Sequence, residues 1–311
     1  MNDKRVLVTG GAGFIGSTVA NRLAAGNDVV AVDDTYLGTP ANLDPNVEFV
    51  EASVLDDDFP ADVDVVFHLA ALSSRNMHES DPQRGCRVNV EGFVNTVERA
   101  RREGCETVVY ASTSSIYGSR TEPSPVDMVV EAHTAYEASK LARERYAEYY
   151  ANHHGMAMAG LRFFSVYQGF AGNEEHKGEY ANTVAQFADA IANGEAPELF
   201  GDGSQTRDFT HVADVARACE LAAAEELTGV YNVGTEEAYS FNEMVAMIND
   251  CLGTDVDPEY IECPFDGYVH DTLADYSTFH DATGWEPQIS FEEGVKLVCE
   301  PYREADAPGT K

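Results

Sequence analysis

The 311-residue sequence predicts an α/β protein, a doubly wound parallel sheet with a smaller mixed α/β lobe. Three observations carry that expectation. Short apolar runs alternate with helix-period segments through the first half, a glycine-rich turn joins the first run to the first helix, and after about residue 165 the alternation loosens into Gly-rich and acidic loops.

RVLVTG is apolar, short and closed by glycine, the pattern of a strand buried on both faces, and FIGSTVANRLAAG continues it as a helix. DVVAVDD and VDVVFHLAA read as further strands, and QRGCRVNVEGFVNTVERARREG as a long helix. TVVYAST is the next strand and TAYEASK opens the next helix, after which AMAGLRFFSVY continues the sheet. The loops QGFAGNEEHKGEY and FGDGSQTRDF interrupt this order before the strand-like YNVG and the helical SFNEMVAMINDCLG. Without an internal repeat, the economical organisation is one sheet domain, residues 1–164 plus about 209–236. A second lobe, about 165–208 and 237–311, then lies over the carboxyl edge.

Gly10, Gly13 and Gly16 lie between the first strand and the first helix, with Phe14 and Ile15 inside the turn. Glycines in that context permit a tight turn and let a pyrophosphate approach the helix amides, a Rossmann-type cofactor site. Asp33, with Asp34 beside it, ends the second strand where a carboxylate accepts the adenosine ribose hydroxyls. A carboxylate there repels a 2'-phosphate, so the expected cofactor is NAD rather than NADP.

Tyr136 and Lys140 stand four apart and share one face of a helix, so phenol and ammonium can converge on one ligand. Taken alone, the pair is more often an ordinary helix aromatic with a solvated lysine, and the glycine turn and Thr113 shift the reading toward chemistry. The strand end Ala111 to Ser115 supplies hydroxyls at the carboxyl edge, where doubly wound sheets place ligands. An unperturbed tyrosine titrates near about 10, so a Tyr136 base requires nearby positive charge from Lys140 and a nicotinamide.

Composition bounds the rest. With 54 acidic and 20 basic residues the net charge is −34, which disfavours nucleic acid as a partner and suggests a salt-rich, halophilic setting where screening offsets self-repulsion. No apolar run is long enough to span a membrane and the N-terminus lacks a signal-peptide core, so a soluble cytoplasmic protein is expected. The six cysteines show no metal-ligand spacing, and no metal is expected.

TGGAGFIG, HLAA at 68–71, Y-x-x-x-K at 136–140 and GDGSQTRDFTHVADVARA at 201–218 together resemble the extended short-chain dehydrogenase/reductases that act on nucleotide-sugars. The resemblance runs from residue 4 to about 300. It implies that Tyr136 takes the proton from a sugar hydroxyl while NAD accepts hydride, that Lys140 holds the nicotinamide ribose, and that Thr113 hydrogen-bonds the reacting oxygen. It also implies that Leu69, Ala70, Ala71 and Asn89 line the cofactor and that the helices at about 83–103 and 136–153 pair in a homodimer.

On the substrate side, the resemblance matches Arg207 to an arginine of the nucleotide diphosphate and places Asn182 and Phe200 at nucleotide contacts. Related dehydratases and decarboxylases carry an acid at the position of Ser115 or Ser114, and both are serine here. Oxidation, turnover of the keto-sugar and return of hydride then remain, which is 4-epimerisation. Several positions depart from the family pattern. Ser53 replaces an aspartate on the adenine and leaves the backbone and Val54, Ser165 replaces a substrate-side asparagine, and Pro264 to Gly267 lacks a second phosphate arginine. Thr272, near a wall that is a bulky tyrosine in galactose-specific relatives, leaves room for an N-acetyl group. The leading expectation is a UDP-hexose 4-epimerase. A nucleotide-sugar oxidoreductase with net redox and a silent dinucleotide sensor are the alternatives.

Overall fold

A computed structural model describes residues 1–265 and 267–305. The chain runs β1 (Arg5–Thr9), α1 (Phe14–Leu23), β2 (Asp28–Asp33), β3 (Glu48–Glu51), β4 (Val65–His68), α2 (Arg75–Ser80), α3 (Pro82–Cys86) and α4 (Gly92–Arg102). It continues through β5 (Thr107–Thr113), α5 (Ala135–His154), β6 (Ala157–Phe163), β7 (Val166–Tyr167), α6 (Thr183–Ala192), β8 (Glu198–Phe200), β9 (Thr206–Asp208), β10 (Thr210–His211) and α7 (Val212–Ala224). β11 (Gly229–Val233), β12 (Ala238–Ser240), α8 (Phe241–Leu252), β13 (Glu259–Ile261), α9 (Ser277–Thr283) and α10 (Phe291–Ala305) complete it.

Seven parallel strands form the main sheet in the order β11-β6-β5-β4-β1-β2-β3. Alternation along β1 explains its two covered faces. Val6 and Val8 pack with Val19 and Leu23 of α1 and Val215 of α7, while Leu7 points the other way to Phe93 and Val97 of α4 and Tyr150 of α5. The expected doubly wound sheet is therefore present, and β11, late in sequence, adds to its β6 edge. The sheet order reverses between β1 and β4, whose carboxyl ends open the crevice where such folds bind ligands.

The second core is separate. Tyr167, Phe187, Phe209, Phe241 and Phe291 bring α6, α8 and α10 together, with the Phe209 and Phe291 rings stacked 4.5 Å apart. Three two-stranded ladders, β10-β7, β12-β9 and β13-β8, frame this lobe. Among the described residues no helix is long and apolar enough to cross a membrane.

Two helix starts near the sheet's carboxyl edge follow directly from sequence chemistry. Thr134 and Glu137 close a capping box on α5, which fixes where Tyr136 begins its turn. Asn182 caps α6 by accepting the Val184 amide.

Candidate active site

The glycine turn brings backbone to backbone. Gly10 has φ +66° and a Cβ there would stand 2.6 Å from the Ala70 nitrogen, while a Cβ on Gly16 would run into the Gly10 carbonyl. Gly13 starts α1 with no side-chain cap and no acid in the first turn, so the opening amides are left for an anion. At the end of β2, Asp33 accepts from the Ala12 amide at 3.1 Å and the Thr35 amide at 2.8 Å, which leaves further lone pairs for hydroxyl donors. Burial pushes its carboxyl above the ordinary value, against these amides.

These groups open into one cavity of about 460 Å³. Gly10, Gly13, Phe14, Ile15, Gly16, Asp33, Asp34 and Val54 line one end, and Leu69, Ala70 and Ala71 its floor. The glycine cradle, the uncapped helix start and Asp33 fit a dinucleotide. Asn89 does not reach the cavity. It is wholly buried in the wide turn at 87–91, where its amide oxygen accepts from the Leu72 amide at 2.9 Å and its nitrogen donates to Ser139 at 2.9 Å. It thus braces the 69–72 floor from behind.

Thr113, Ser114, Tyr136 and Lys140 line the same cavity. β5 carries Thr113 to its carboxyl end, and α5 returns the tyrosine face toward it. Lys140 donates to the Ala111 carbonyl at 3.1 Å, with its Nζ 5.7 Å from the Tyr136 ring centre. Burial pushes the half-buried phenol's pKa up, and the Thr113 side-chain hydrogen bond and the Arg143 charge pull it back. Burial, with Arg143 second, drives the Lys140 ammonium well below its ordinary range.

Arg143, on the same helix face three residues on, braces the site from behind the cavity wall and was missed by sequence reasoning. It is fully buried and donates to the carbonyls of Asn89 at 2.6 Å, Ala70 at 2.7 Å and Ala111 at 3.4 Å, so it joins cofactor floor to catalytic strand. The 4-then-3 spacing of Tyr136, Lys140 and Arg143 was the available signal. His78 packs edge-on to the Tyr136 ring at 5.5 Å. His176 and Lys177, from the loop before α6, also line the cavity.

Toward the second lobe, Ser165, Arg207 and Thr272 reach the cavity. Ser165 adopts φ +22°, a backbone region in which asparagine is more at ease than serine. Arg207 donates to the carbonyls of Thr206, Val269 and His270 at 2.8, 2.5 and 2.7 Å, and its guanidinium lies 5.2 Å from the Tyr268 ring centre. Much of its donor capacity is spent on framing the 268–270 loop. Asn182 and Phe200 stand off the cavity wall. The Asn182 side chain is committed to its cap and to the Val166 carbonyl, and Phe200 packs edge-on to Phe265 and Tyr268. Of the stretch lacking a second arginine, Asp266 lies outside the described residues. Among the described residues no cluster of His, Cys, Asp or Glu is placed to hold a metal ion.

Residues 6–234 match the model of the NAD dependent epimerase/dehydratase family. The chain belongs to that family. NAD is accordingly its cofactor. Over 305 residues it is 35% identical to a putative UDP-glucose 4-epimerase of Methanocaldococcus jannaschii, covering 94% of this chain and 96% of that one. A UDP-N-acetyl-alpha-D-glucosaminuronate decarboxylase of Bacillus cytotoxicus is 30% identical, with 97% of this chain and 99% of that one covered. The fold superposes with a TM-score of 0.90 on the UDP-N-acetylglucosamine 4-epimerase of Methanobrevibacter ruminantium, solved with UDP-N-acetylmuramic acid. That protein is 30% identical, with 98% and 100% of the two chains covered. Membership makes this family protein an enzyme of the epimerase and decarboxylase group.

Proposed function

We propose that this protein is an NAD-dependent 4-epimerase of a UDP-hexose, with room for an N-acetyl group. One observation carries the reading: Thr113, Tyr136 and Lys140 converge on the cavity that the glycine turn enters, and among the described residues no carboxylate lines that cavity beside them. The carboxylates lining the cavity among the described residues are Asp33 and Asp34, at the end of β2, three places from β5 in the sheet order. Elimination from carbons next to the reacting one needs an acid or base near Thr113, and reversible oxidation at one carbon does not.

When bound, NAD supplies a reversible hydride acceptor. Tyr136 removes the proton from the sugar hydroxyl as its carbon becomes a ketone, and returns it once the ketone has presented its other face. Thr113 hydrogen-bonds the same oxygen in both positions. Lys140 is fixed on the Ala111 carbonyl to hold the nicotinamide ribose, and the Thr113 hydrogen bond and the Arg143 charge offset the burial opposing phenolate. Arg207 meets the substrate diphosphate with the donors left from the 268–270 loop. The UDP carrier rests on the relatives' names. A homodimer through α4 and α5 is part of the reading, and Tyr146 and Tyr149 of α5 are exposed.

The test is incubation of the purified protein in high salt with UDP-, GDP- and dTDP-sugars, without added NAD, followed by NMR. Inversion at C4 on substoichiometric protein-bound NAD is expected. Release of carbon dioxide from a UDP-uronic acid, or net reduction of free NAD, would sink the reading in favour of decarboxylation or oxidoreduction.

A further inference from the structure

The loop 170–180, between β7 and α6, crosses from the second lobe onto the glycine turn. Asn173 donates to Ser17 of α1 at 3.0 Å, and His176 meets Asn42, beyond β2, at 3.0 Å. Lys177 comes to rest with its Nζ 5.2 Å from the ring centre of Phe14, the first residue of α1. His176 and Lys177 line the same cavity as Gly10, Gly13 and Gly16. The loop is therefore a strap over the uncapped helix start rather than a surface excursion.

Its internal arrangement ties that lysine to a single carboxylate. Glu174, wholly buried, accepts from the amides of Gln168 at 3.0 Å, Gly169 at 3.1 Å and Asn182 at 2.6 Å, so its carboxylate serves to close the strap. Lys177 pairs with it at 3.7 Å, longer than a direct hydrogen bond, and an ammonium with three donors can meet a second anion beside that pair. The Lys and Arg side chains lining the cavity among the described residues are Arg84, which lies 3.8 Å from the Tyr36 ring centre, Arg207, which frames the 268–270 loop, Lys140 and Lys177. Lys140 is taken up at the catalytic end. The glycine turn offers amides and a helix dipole to an anion but no full positive charge.

We propose that Lys177 pairs with the diphosphate of the bound dinucleotide and that the strap 170–180 retains NAD by closing over it. The inference rests on the NAD site described above and adds a cofactor-positioning residue to it. Its consequence is that NAD exchange requires the strap to lift, which breaks the Asn173–Ser17 and His176–Asn42 contacts.

Calorimetry on protein stripped of NAD, in high salt, tests it with two probes: ADP-ribose, which carries the diphosphate, and adenosine, which does not. Lys177→Gln is expected to weaken ADP-ribose binding by about tenfold while leaving adenosine unchanged, and Lys177→Arg to keep most of the affinity. The Lys177→Gln holoprotein should also shed NAD faster on gel filtration. Equal ADP-ribose affinity in Lys177→Gln and the unaltered protein overturns the proposal, as does an equal loss for adenosine. An unaltered protein that binds neither probe would instead count against the NAD site itself.

Discussion

Removing Arg162 exposes how much the catalytic strand end depends on one buried ion pair. Arg162 of β6 grips Glu144 of α5 with two hydrogen bonds, at 2.9 and 2.8 Å, and both side chains are 5% exposed. Ser112, next to Thr113, donates to the same carboxylate at 2.6 Å, while Arg162 also donates to the Tyr117 hydroxyl at 2.7 Å and the Val126 carbonyl at 3.0 Å. Arg162→Met leaves the Glu144 charge buried with Ser112 as its remaining side-chain donor. Losing one member of a buried pair costs about 3–5 kcal/mol, roughly a fifth or more of a typical domain's stability, and lowers the thermal midpoint on the order of 10 °C. Replacing both partners, Glu144→Leu with Arg162→Met, removes the stranded charge and should recover part of that loss. Urea unfolding of the three variants at fixed high salt, followed by far-ultraviolet circular dichroism, reads these differences. A loss under about 1 kcal/mol for Arg162→Met, or a double variant weaker than the single one, would refute the reasoning.

Tyr136→Phe should lower the rate of C4 inversion by at least about a hundredfold and leave the NAD-to-protein ratio unchanged; full turnover, read by NMR, contradicts the assignment. Asp208 is buried and its pKa is pushed up to about 6 by burial, against the amides of Thr235, Glu236 and Ala274. A carboxyl raised above its unfolded value of about 4 costs stability at neutral pH, and that cost fades as pH falls through 6. The unaltered protein should therefore gain on Asp208→Asn between pH 7 and 5 in parallel unfolding curves; curves that stay parallel contradict this. The net charge of −34 predicts a thermal midpoint that rises with potassium chloride as repulsion is screened, and a midpoint independent of salt removes the halophilic reading.

The parts of the site that sequence made legible are those whose chemistry is local. The glycine turn, Asp33 at a strand end and the Tyr136/Lys140 spacing each follow from one strand or one helix turn, and the structure gathers them around one cavity. Asn89 and Asn182 were harder, because an asparagine amide braces a loop or caps a helix as readily as it meets a ligand. Their neighbours decide, and at Asn182 the following helix was the clue. Lys177 could not be found by pattern, since its proximity to Phe14 spans two lobes and arises from packing of an irregular acidic loop. The second lobe was blurred for a related reason: its strands are two or three residues long, too short for alternation to register.

The Ala111 carbonyl receives both Lys140 and Arg143. Main-chain oxygen is common to every amino acid, so the anchor of the ammonium survives any side-chain exchange at that position that preserves the strand. Positions 114 and 115 can accordingly be varied by an engineer seeking a new sugar specificity, with Ser112 kept on Glu144, Thr113 kept for the reacting oxygen and the lysine still moored where it is.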